Sequence, residues 1–138
     1  MPKFGERSQN NLDTCHQELQ RLAHSVIHHY DFAVIEGARS DERQAQLYAE
    51  GKSTLDGVNR KSRHQTYPSE AMDVMPWPAD LHGKNIWQDA QRWAHFIGII
   101  RGRAEALGIS IRVGFDWDGD GSPADHRFVD CPHIELKD

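Results

Sequence analysis

The spacing of apolar residues predicts helices and strands in the first part of the chain. From about residue 11 to residue 30, apolar side chains recur every three or four positions, which predicts one amphipathic helix. The apolar run at residues 32–35 is typical of a short strand. Ser40 is a candidate N-cap followed by two acidic residues, and it predicts a second helix over residues 41–50 that ends at Gly51.

The rest of the chain combines a long polar segment with further apolar elements. Residues 52–70 are polar and rich in turn formers, which predicts a long surface loop. Residues 71–75 predict a buried strand closed by prolines, and the apolar positions from 87 to 107 lie on one face of a long helix that is predicted to end at Gly108. Residues 109–113 and 133–136 predict two more short strands. This mixture indicates an α+β fold, with helices packed on a small, largely antiparallel sheet.

Length and charge narrow the classes of protein to which the chain can belong. With 138 residues and no repeat or linker, residues 1–138 are predicted to form one domain. The chain has 38% hydrophobic residues, 27% charged residues and a formal net charge of −5, which argues against a disordered tail or a basic nucleic-acid binder. No apolar stretch approaches the roughly 20 residues of a membrane span, and the N-terminus lacks the apolar core of a secretory signal. We therefore expect no nucleic-acid partner, no stable membrane association and no signal peptide.

Histidines and carboxylates outnumber thiols among the possible metal ligands. The chain holds nine histidines and 21 acidic residues but two cysteines, a composition that favours nitrogen and oxygen ligands. A catalytic zinc ion takes three such protein ligands and keeps a fourth position open for water. His64, Asp73 and His133 could supply this set, although their spacing alone is a weak signal.

A longer motif surrounds the first two of these candidates. Ser62-x-His64, followed by Ser69-x-Ala71-x-Asp73, resembles the S-x-H-x-x-G-x-A-x-D signature of zinc peptidases that cut peptidoglycan stem peptides. This family includes D-alanyl-D-alanine carboxypeptidases and the L-alanyl-D-glutamate endopeptidases of bacteriophage endolysins. Two extra residues, around Pro68, separate His64 from Asp73, and Ser69 stands in the place of the usual glycine. We interpret this departure as a lengthened loop between two retained ligands.

Two other segments carry the same resemblance. The acidic residue three positions before His133, Asp130, is similar to the family's second motif, and an aspartate there resembles the endolysin branch more than the carboxypeptidases. Residues 32–48, with Arg39 and Gln44, resemble an N-terminal block that contains a catalytic arginine. The three motifs occur in order and extend from about residue 12 to residue 136.

The resemblance implies a hedgehog/D,D-peptidase-like fold and one zinc ion on His64, Asp73 and His133. Such an ion lowers the pKa of a water molecule from about 15.7 toward 7 and polarises the scissile carbonyl. Asp130 would take the proton of the water and deliver it to the departing amine. Arg39 would stabilise the developing oxyanion.

The substrate side of the site is less specified by the motifs. The resemblance implies that Ser62 hydrogen-bonds a carboxylate or carbonyl of the substrate. Gln44 is a second candidate on this side, either as a support for the arginine block or as an ordinary residue of the helix face. Trp77, in a loop, is expected either to line a substrate groove or to cover the sheet.

Two tryptophans, Trp87 and Trp93, are predicted to pack in the core from the long helix. Trp117 lies in a loop and, like Trp77, is expected either to line a substrate groove or to cover the sheet.

Trp117 also belongs to an acidic segment, Asp116-Trp117-Asp118-Gly119-Asp120-Gly121, that matches the start of a calcium-binding loop. The twelfth position of that loop would need a glutamate and is Arg127, which excludes a full EF-hand. A weak regulatory Ca²⁺ site on Asp116, Asp118 and Asp120 and a plain acidic turn both stay open.

The motifs together predict a zinc-dependent peptidoglycan peptidase that hydrolyses the L-Ala-D-Glu bond of stem peptides as a phage endolysin. The resemblance also implies a monomer that stays in the host cytoplasm until a separate holin-type protein releases it to the cell wall. A D-Ala-D-Ala carboxypeptidase is the nearest alternative, and it would require an export signal or anchor. A non-enzymatic, metal-stabilised binding module is the alternative from another class, and the negative charge disfavours a metal-dependent nuclease.

Overall fold

The computed structural model describes residues 2–114 and 132–137. Within these ranges the chain forms four α-helices, a four-stranded sheet and a two-stranded hairpin. Two short 3₁₀ turns, Arg63–Gln65 and Ile86–Gln88, stand between the larger elements. The elements in chain order are α1 (Glu6–Asp13), α2 (Gln17–Ile27), β1 (Phe32–Glu36), α3 (Asp41–Ala49), β2 (Ala71–Pro76), β3 (Asp80–Leu81), β4 (Lys84–Asn85), α4 (Ala90–Leu107), β5 (Ile111–Val113) and β6 (His133–Leu136).

The four-stranded sheet has the order β1-β2-β6-β5, and each neighbouring pair is antiparallel. The register places Asp73 of β2 opposite His133 of β6, and Glu36 of β1 opposite Asp73 on the other side. The predicted α+β class with an antiparallel sheet is confirmed. The sheet thereby brings together residues that are far apart in the sequence.

The two faces of the sheet have different surroundings. Val34, Val74 and Ile134 point to the face that packs in the hydrophobic core, where α2 and α4 also contact each other. Because successive strand residues point to opposite faces, Asp73 and His133 lie on the other face. That second face carries the polar residues considered below.

The single helix predicted from residue 11 to residue 30 is wrong, because the chain forms α1 and α2 with a break between them. At the break, Ser69 donates its backbone N–H to the Thr14 carbonyl, and its own carbonyl accepts the N–H of His16, each at 2.8 Å. The His16 ring then caps α2 by accepting the backbone N–H of Glu18. A tertiary bridge therefore replaces the helical hydrogen bonds at this point and fixes the chain just before β2.

The prediction for Trp87 is also wrong, whereas that for Trp93 is confirmed. Trp87 lies in a 3₁₀ turn ahead of α4 and is 56% exposed, while Trp93 is buried and donates its indole N–H to the Ile86 carbonyl. The helix begins later than its apolar spacing suggests because the Asp89 side chain caps it, accepting the N–H of Arg92. None of the helices in the described ranges is long and apolar enough to cross a membrane.

Two predicted helix boundaries are confirmed by their capping interactions. The Ser40 hydroxyl accepts the backbone N–H of Arg43 and starts α3, which ends one residue earlier than predicted. Gly108 ends α4 with a φ of 72°, the left-handed conformation that glycine adopts without a steric penalty. The long polar loop is also present, interrupted by the 3₁₀ turn Arg63–Gln65.

Candidate metal centre

A cavity of about 560 Å³ lies over the polar face of the sheet, and we call it the site cavity. Its residues come from separate segments of the chain: Glu36, Arg39, Leu47, residues 52–55, residues 61–64, Asp73, Arg112, His133 and Glu135. Three of the predicted metal ligands are among them. The sequence-distant motifs therefore meet in one place.

His64, Asp73 and His133 converge on one point of this cavity. Asp73 Oδ1 lies 3.1 Å from His64 Nε2 and 3.5 Å from His133 Nδ1. The candidate ligand atoms of the three residues all lie within 4.8 Å of one another. The structure thus brings together the three residues that the motifs predicted as ligands.

His64 is held from behind by the segment that joins β1 to α3. Its Nδ1 lies 2.8 Å from the Gly37 carbonyl oxygen, which can only accept, so Nδ1 carries the proton and donates. The backbone is fixed as well, because Arg39 donates its N–H to the His64 carbonyl at 2.6 Å. In the neutral ring, Nε2 therefore presents a lone pair toward Asp73.

His133 is oriented by a buried carboxylate on its own strand. Its Nε2 lies 2.8 Å from Glu135 Oε1 and donates to it, which leaves Nδ1 facing Asp73. Glu135 Oε2 lies 3.3 Å from Arg63 Nε and 3.2 Å from Arg112 Nη2. Burial raises the pKa of Glu135, but the hydrogen bond from His133 and the two guanidinium groups outweigh it, and the pKa is lowered overall.

Asp73 is the anionic member of the group. Burial raises the pKa of its carboxyl group, yet the hydrogen bonds and positive charge that His133 and His64 supply when their rings carry a second proton outweigh this and hold the pKa well below its usual range. Without that second proton, the ring nitrogens that face Asp73 are acceptors instead. With both rings neutral, two nitrogen lone pairs and a carboxylate oxygen face one another at close range. A bound divalent cation can accept all of these lone pairs at once. Two imidazole nitrogens and one carboxylate oxygen are common ligands of zinc.

Arg39 lies beside this group and is tightly held. Its Nε and Nη2 donate to the two carboxylate oxygens of Glu36 at 2.9 and 2.7 Å, and its Nη1 donates to Gln44 Oε1 at 2.7 Å. Nη2 also lies 3.8 Å from Asp73 Oδ2. The predicted catalytic arginine therefore lines the same cavity as the ligands.

Gln44 and Ser62, the predicted substrate-side residues, have different positions. Gln44 is fully buried behind Arg39, and its amide nitrogen donates to Ser53 Oγ and to the Leu55 carbonyl. Ser62 lines the site cavity and caps the 3₁₀ turn that carries His64, because its hydroxyl oxygen accepts the His64 N–H. Gln44 thus has the position of a support for Arg39, one of the two readings that its motif left open.

Several predicted residues lie outside the described ranges. They are Asp130, Trp117 and the candidate calcium ligands Asp116, Asp118 and Asp120. Their roles stay predictions from the sequence.

The structure also places residues at the site that the sequence motifs did not single out, namely Glu135, Glu36 and the Gly37 carbonyl. Glu135 could have been found, because a residue two positions after a ligand on a strand points to the same face.

Comparisons with known proteins extend over nearly the whole chain. Residues 1–137 match the family described as phage L-alanyl-D-glutamate peptidase. The chain is 32% identical over 139 residues to the L-alanyl-D-glutamate peptidase of Escherichia phage T5, with 97% of each protein covered. It is also similar to the crystal structure of the L-Ala D-Glu endopeptidase ChiX of Serratia marcescens, with a TM-score of 0.73 and 28% sequence identity, over 98% of this chain and 90% of that one.

Proposed function

Because the chain belongs to the phage L-alanyl-D-glutamate peptidase family, we propose that His64, Asp73 and His133 hold one zinc ion that serves cleavage of the L-Ala-D-Glu bond in peptidoglycan stem peptides. The observation that carries this proposal is the convergence of three acceptor atoms within 4.8 Å, each on a residue oriented by the fold. When bound, zinc supplies Lewis acidity at the scissile carbonyl and lowers the pKa of the attacking water.

The protein's own part in holding the ion is orientation. The Gly37 carbonyl and the Glu135 carboxylate each accept a hydrogen bond from the far ring nitrogen of a histidine, which leaves the near nitrogens to bind the ion. Asp73 supplies a carboxylate oxygen, since an aspartate side chain is ionised at neutral pH.

Arg39 is proposed to bind the carbonyl oxygen of the scissile bond as negative charge develops on it. A guanidinium group has five N–H protons, and Glu36 and Gln44 accept three of them among the described contacts. The remaining protons on Nη1 and Nη2 are directed by a side chain that cannot rotate without breaking those hydrogen bonds. This pre-organisation is what makes an oxyanion donor effective.

Asp130 is proposed to move the proton, on the strength of the motif and of its position three residues before His133. The water oxygen forms a bond with the alanyl carbonyl carbon, and the Asp130 carboxylate takes the proton that is released. When the carbon–nitrogen bond breaks, the same proton passes to the departing amino group of D-glutamate. Ser62, which lines the site cavity, is proposed to contact a substrate oxygen through its hydroxyl group.

The decisive experiment is digestion of purified peptidoglycan followed by mass spectrometry of the products. New peptides with N-terminal D-glutamate are expected, and their formation should stop in a zinc chelator and resume on addition of zinc. Release of free D-alanine would instead indicate a carboxypeptidase. Undiminished digestion in the chelator would contradict the zinc proposal.

A matched pair of variants tests the assignment of Asp130. Asp130→Ala is expected to keep its zinc content and its circular dichroism spectrum while losing peptidoglycan digestion. Asp80→Ala, a substitution in the β3–β4 hairpin away from the site cavity, serves as the control. Wild-type digestion by Asp130→Ala with the metal retained would show that another group moves the proton.

The phage family suggests how the enzyme meets its substrate. We propose that it acts as a monomer, waits in the host cytoplasm and reaches the wall after a separate holin-type protein opens the membrane. Expression with and without such a protein, followed by culture turbidity, tests this: lysis should require both. A regulatory Ca²⁺ site on Asp116, Asp118 and Asp120 is tested by measuring the digestion rate at increasing Ca²⁺ concentration. Such a site predicts a Ca²⁺-dependent rate in the wild type that is lost in Asp118→Ala.

A further inference from the structure

We propose that a second cavity, on the same face of the sheet as the metal centre, binds the amino-sugar ring to which the stem peptide is attached, with Trp77 as its stacking surface. This inference rests on the proposed function, because it names the subsite for the neighbouring part of the same substrate. It adds a recognition element to a cleavage site.

The second cavity has a volume of about 520 Å³ and lies between the start of α1 and the edge of the sheet. Its apolar lining includes Ala33, Ile35 and Met75, together with Phe32 and Val34. Trp77 also lines it and is 51% exposed, although it is the largest apolar side chain in the cavity. Its backbone N–H donates to the Asp31 carbonyl at 3.1 Å, so it continues the β1–β2 ladder.

The strand register shows that the second cavity adjoins the metal centre. Met75 follows Asp73 by two residues on β2, and the residue between them, Val74, is fully buried in the core. Met75 therefore points to the same face as Asp73. Across the ladder, Ala33 is opposite Met75 in the second cavity, and Glu36 is opposite Asp73 in the site cavity. A register shift interrupts β1 between Val34 and Glu36, so the continuous face is that of β2, which runs from Asp73 through Met75 to Trp77.

The distances along this face fit the chemistry of the substrate. In peptidoglycan, the amino group of the L-alanine is acylated by the lactyl ether group of N-acetylmuramic acid. The sugar ring is thus six covalent bonds from the scissile carbonyl, a reach of roughly 7 Å to its nearest atom. Asp73 and Trp77 are four residues apart, about 13 Å along a strand. A ring that leaves the metal centre in this direction meets Met75 and then the indole of Trp77.

Charge assigns the two halves of the substrate to the two cavities. The charged residues that line the second cavity balance, with Lys3 and Arg7 against Glu6 and Asp31. This suits a neutral sugar, whose hydroxyl and acetamido groups hydrogen-bond to charged side chains while its C–H face packs on an aromatic ring. In contrast, Lys61 lines the site cavity, where it could pair with the carboxylate of the D-glutamate half.

Two substrates that differ in the sugar alone test this inference. One is an N-acetylmuramoyl stem peptide, and the other is the same peptide with an acetyl group on its L-alanine. We expect Trp77→Ala to lower the ratio of kcat/KM for the two, sugar-bearing over sugar-free, by about fivefold, the change expected for one lost aromatic contact. Trp77→Phe keeps a ring and should recover most of the ratio. Trp87→Ala removes another exposed tryptophan, outside the second cavity, and should leave the ratio unchanged.

Binding gives a second readout that does not depend on turnover. N-acetylmuramoyl-L-alanine, the product that keeps the sugar, should shift the indole N–H resonance of Trp77 in the wild-type protein and leave that of Trp87 in place. N-acetyl-L-alanine should shift neither. An unchanged Trp77 resonance with the sugar-bearing product, or an unchanged kcat/KM ratio in Trp77→Ala, would overturn the inference.

These outcomes are separate from a failure of the proposed function. If the wild type cleaves neither substrate at the L-Ala-D-Glu bond, the proposed function fails. If it cleaves both and the ratio is insensitive to Trp77, the proposed function stands and the sugar subsite is wrong.

Discussion

At the scale of single residues, the proposed metal centre depends on the residues that hydrogen-bond to its ligands and orient them. Glu135 is such a residue, because it fixes His133 and is itself held by Arg63 and Arg112. We expect Glu135→Gln to weaken zinc affinity by about 10-fold to 100-fold. The carboxylate orients the His133 ring and raises the basicity of the ring, and the variant loses both effects. Competition with a chromogenic chelator measures this change.

A second glutamate provides the control for Glu135. Glu70 also contacts Arg63, at 3.1 Å from Nη1, but it does not touch either histidine. Glu70→Gln should therefore keep wild-type zinc affinity. Equal losses in the two variants would mean that the arginine, and not the orientation of His133, determines the affinity.

At Arg39, two substitutions separate the effect of positive charge on catalysis from the effect of the geometry of the guanidinium group. We expect Arg39→Ala to lower kcat by about 10²–10³, the usual result of removing one oxyanion donor. Arg39→Lys should recover little, because an ammonium group has three N–H protons, and hydrogen bonds to the two Glu36 oxygens and Gln44 Oε1 would leave none for the substrate. Steady-state kinetics on a soluble stem peptide gives kcat and KM separately.

The controls for Arg39 address the fold and the choice of arginine. Arg43→Ala changes an exposed arginine on α3 and should keep the wild-type kcat. Zinc content should be unchanged in all three variants, because Arg39 is not a ligand. Full activity of Arg39→Lys would indicate that charge alone is sufficient at this position.

The three proposed ligands could be singled out from sequence because each stands inside a motif, and the fold brings them together, whereas their supports could not be singled out. The Gly37 carbonyl is a backbone group, and it is 27 residues from the histidine that it orients. No side-chain pattern marks such a partner. Gln44 shows the intermediate case, since its motif indicated importance but the fold was needed to place it behind Arg39.

At the scale of elements, the segment between β1 and α3 connects helix packing to the metal centre. A Cβ atom added at Gly37 would lie 2.3 Å from the Asn11 carbonyl oxygen and 2.3 Å from Thr14 Oγ1. We expect Gly37→Ala to lower the free energy of unfolding by about 1–3 kcal/mol, as overpacking does. It should also weaken zinc binding, because the carbonyl that orients His64 has to move. Urea unfolding in a chelator, and zinc titration, measure the two effects.

Gly98 in α4 is the matched control for Gly37. An added Cβ there meets nothing within 4 Å outside its own helix, and alanine has the higher helix propensity. Gly98→Ala should therefore raise the free energy of unfolding by up to about 1 kcal/mol and leave zinc affinity unchanged. Stabilisation by Gly37→Ala would contradict the close approach of Asn11 and Thr14.

The elements that the sequence predicts well are those whose boundaries are set locally. The caps at Ser40 and Gly108 are examples, because each acts on its own helix. The break between α1 and α2 is set by Ser69, which is far away in sequence, so the uninterrupted apolar spacing through residues 12–27 concealed it. Trp87 was misplaced for a related reason, since the Asp89 cap excludes it from the helix whose spacing it shares.

At the scale of the whole molecule, the proposed metal centre takes its three ligands from segments that are far apart in the unfolded chain. His64 comes from a 3₁₀ turn in the long loop, Asp73 from β2 and His133 from β6. An unfolded chain has no such site, so zinc binding is expected to stabilise the folded state. At a free zinc concentration of 100 times the dissociation constant, the gain is about 2.7 kcal/mol.

We therefore expect thermal unfolding of the wild type to shift upward by about 10 °C between chelator and saturating zinc, because a kilocalorie per mole moves the Tm of a domain of this size by a few degrees. His64→Ala should lose most of this shift, since two ligands hold the ion much more weakly than three. His29→Ala, which removes an exposed histidine, should retain it. A full zinc-dependent shift in His64→Ala would place the stabilising ion elsewhere in the molecule, and loss of activity in that variant could then no longer be attributed to an absent metal.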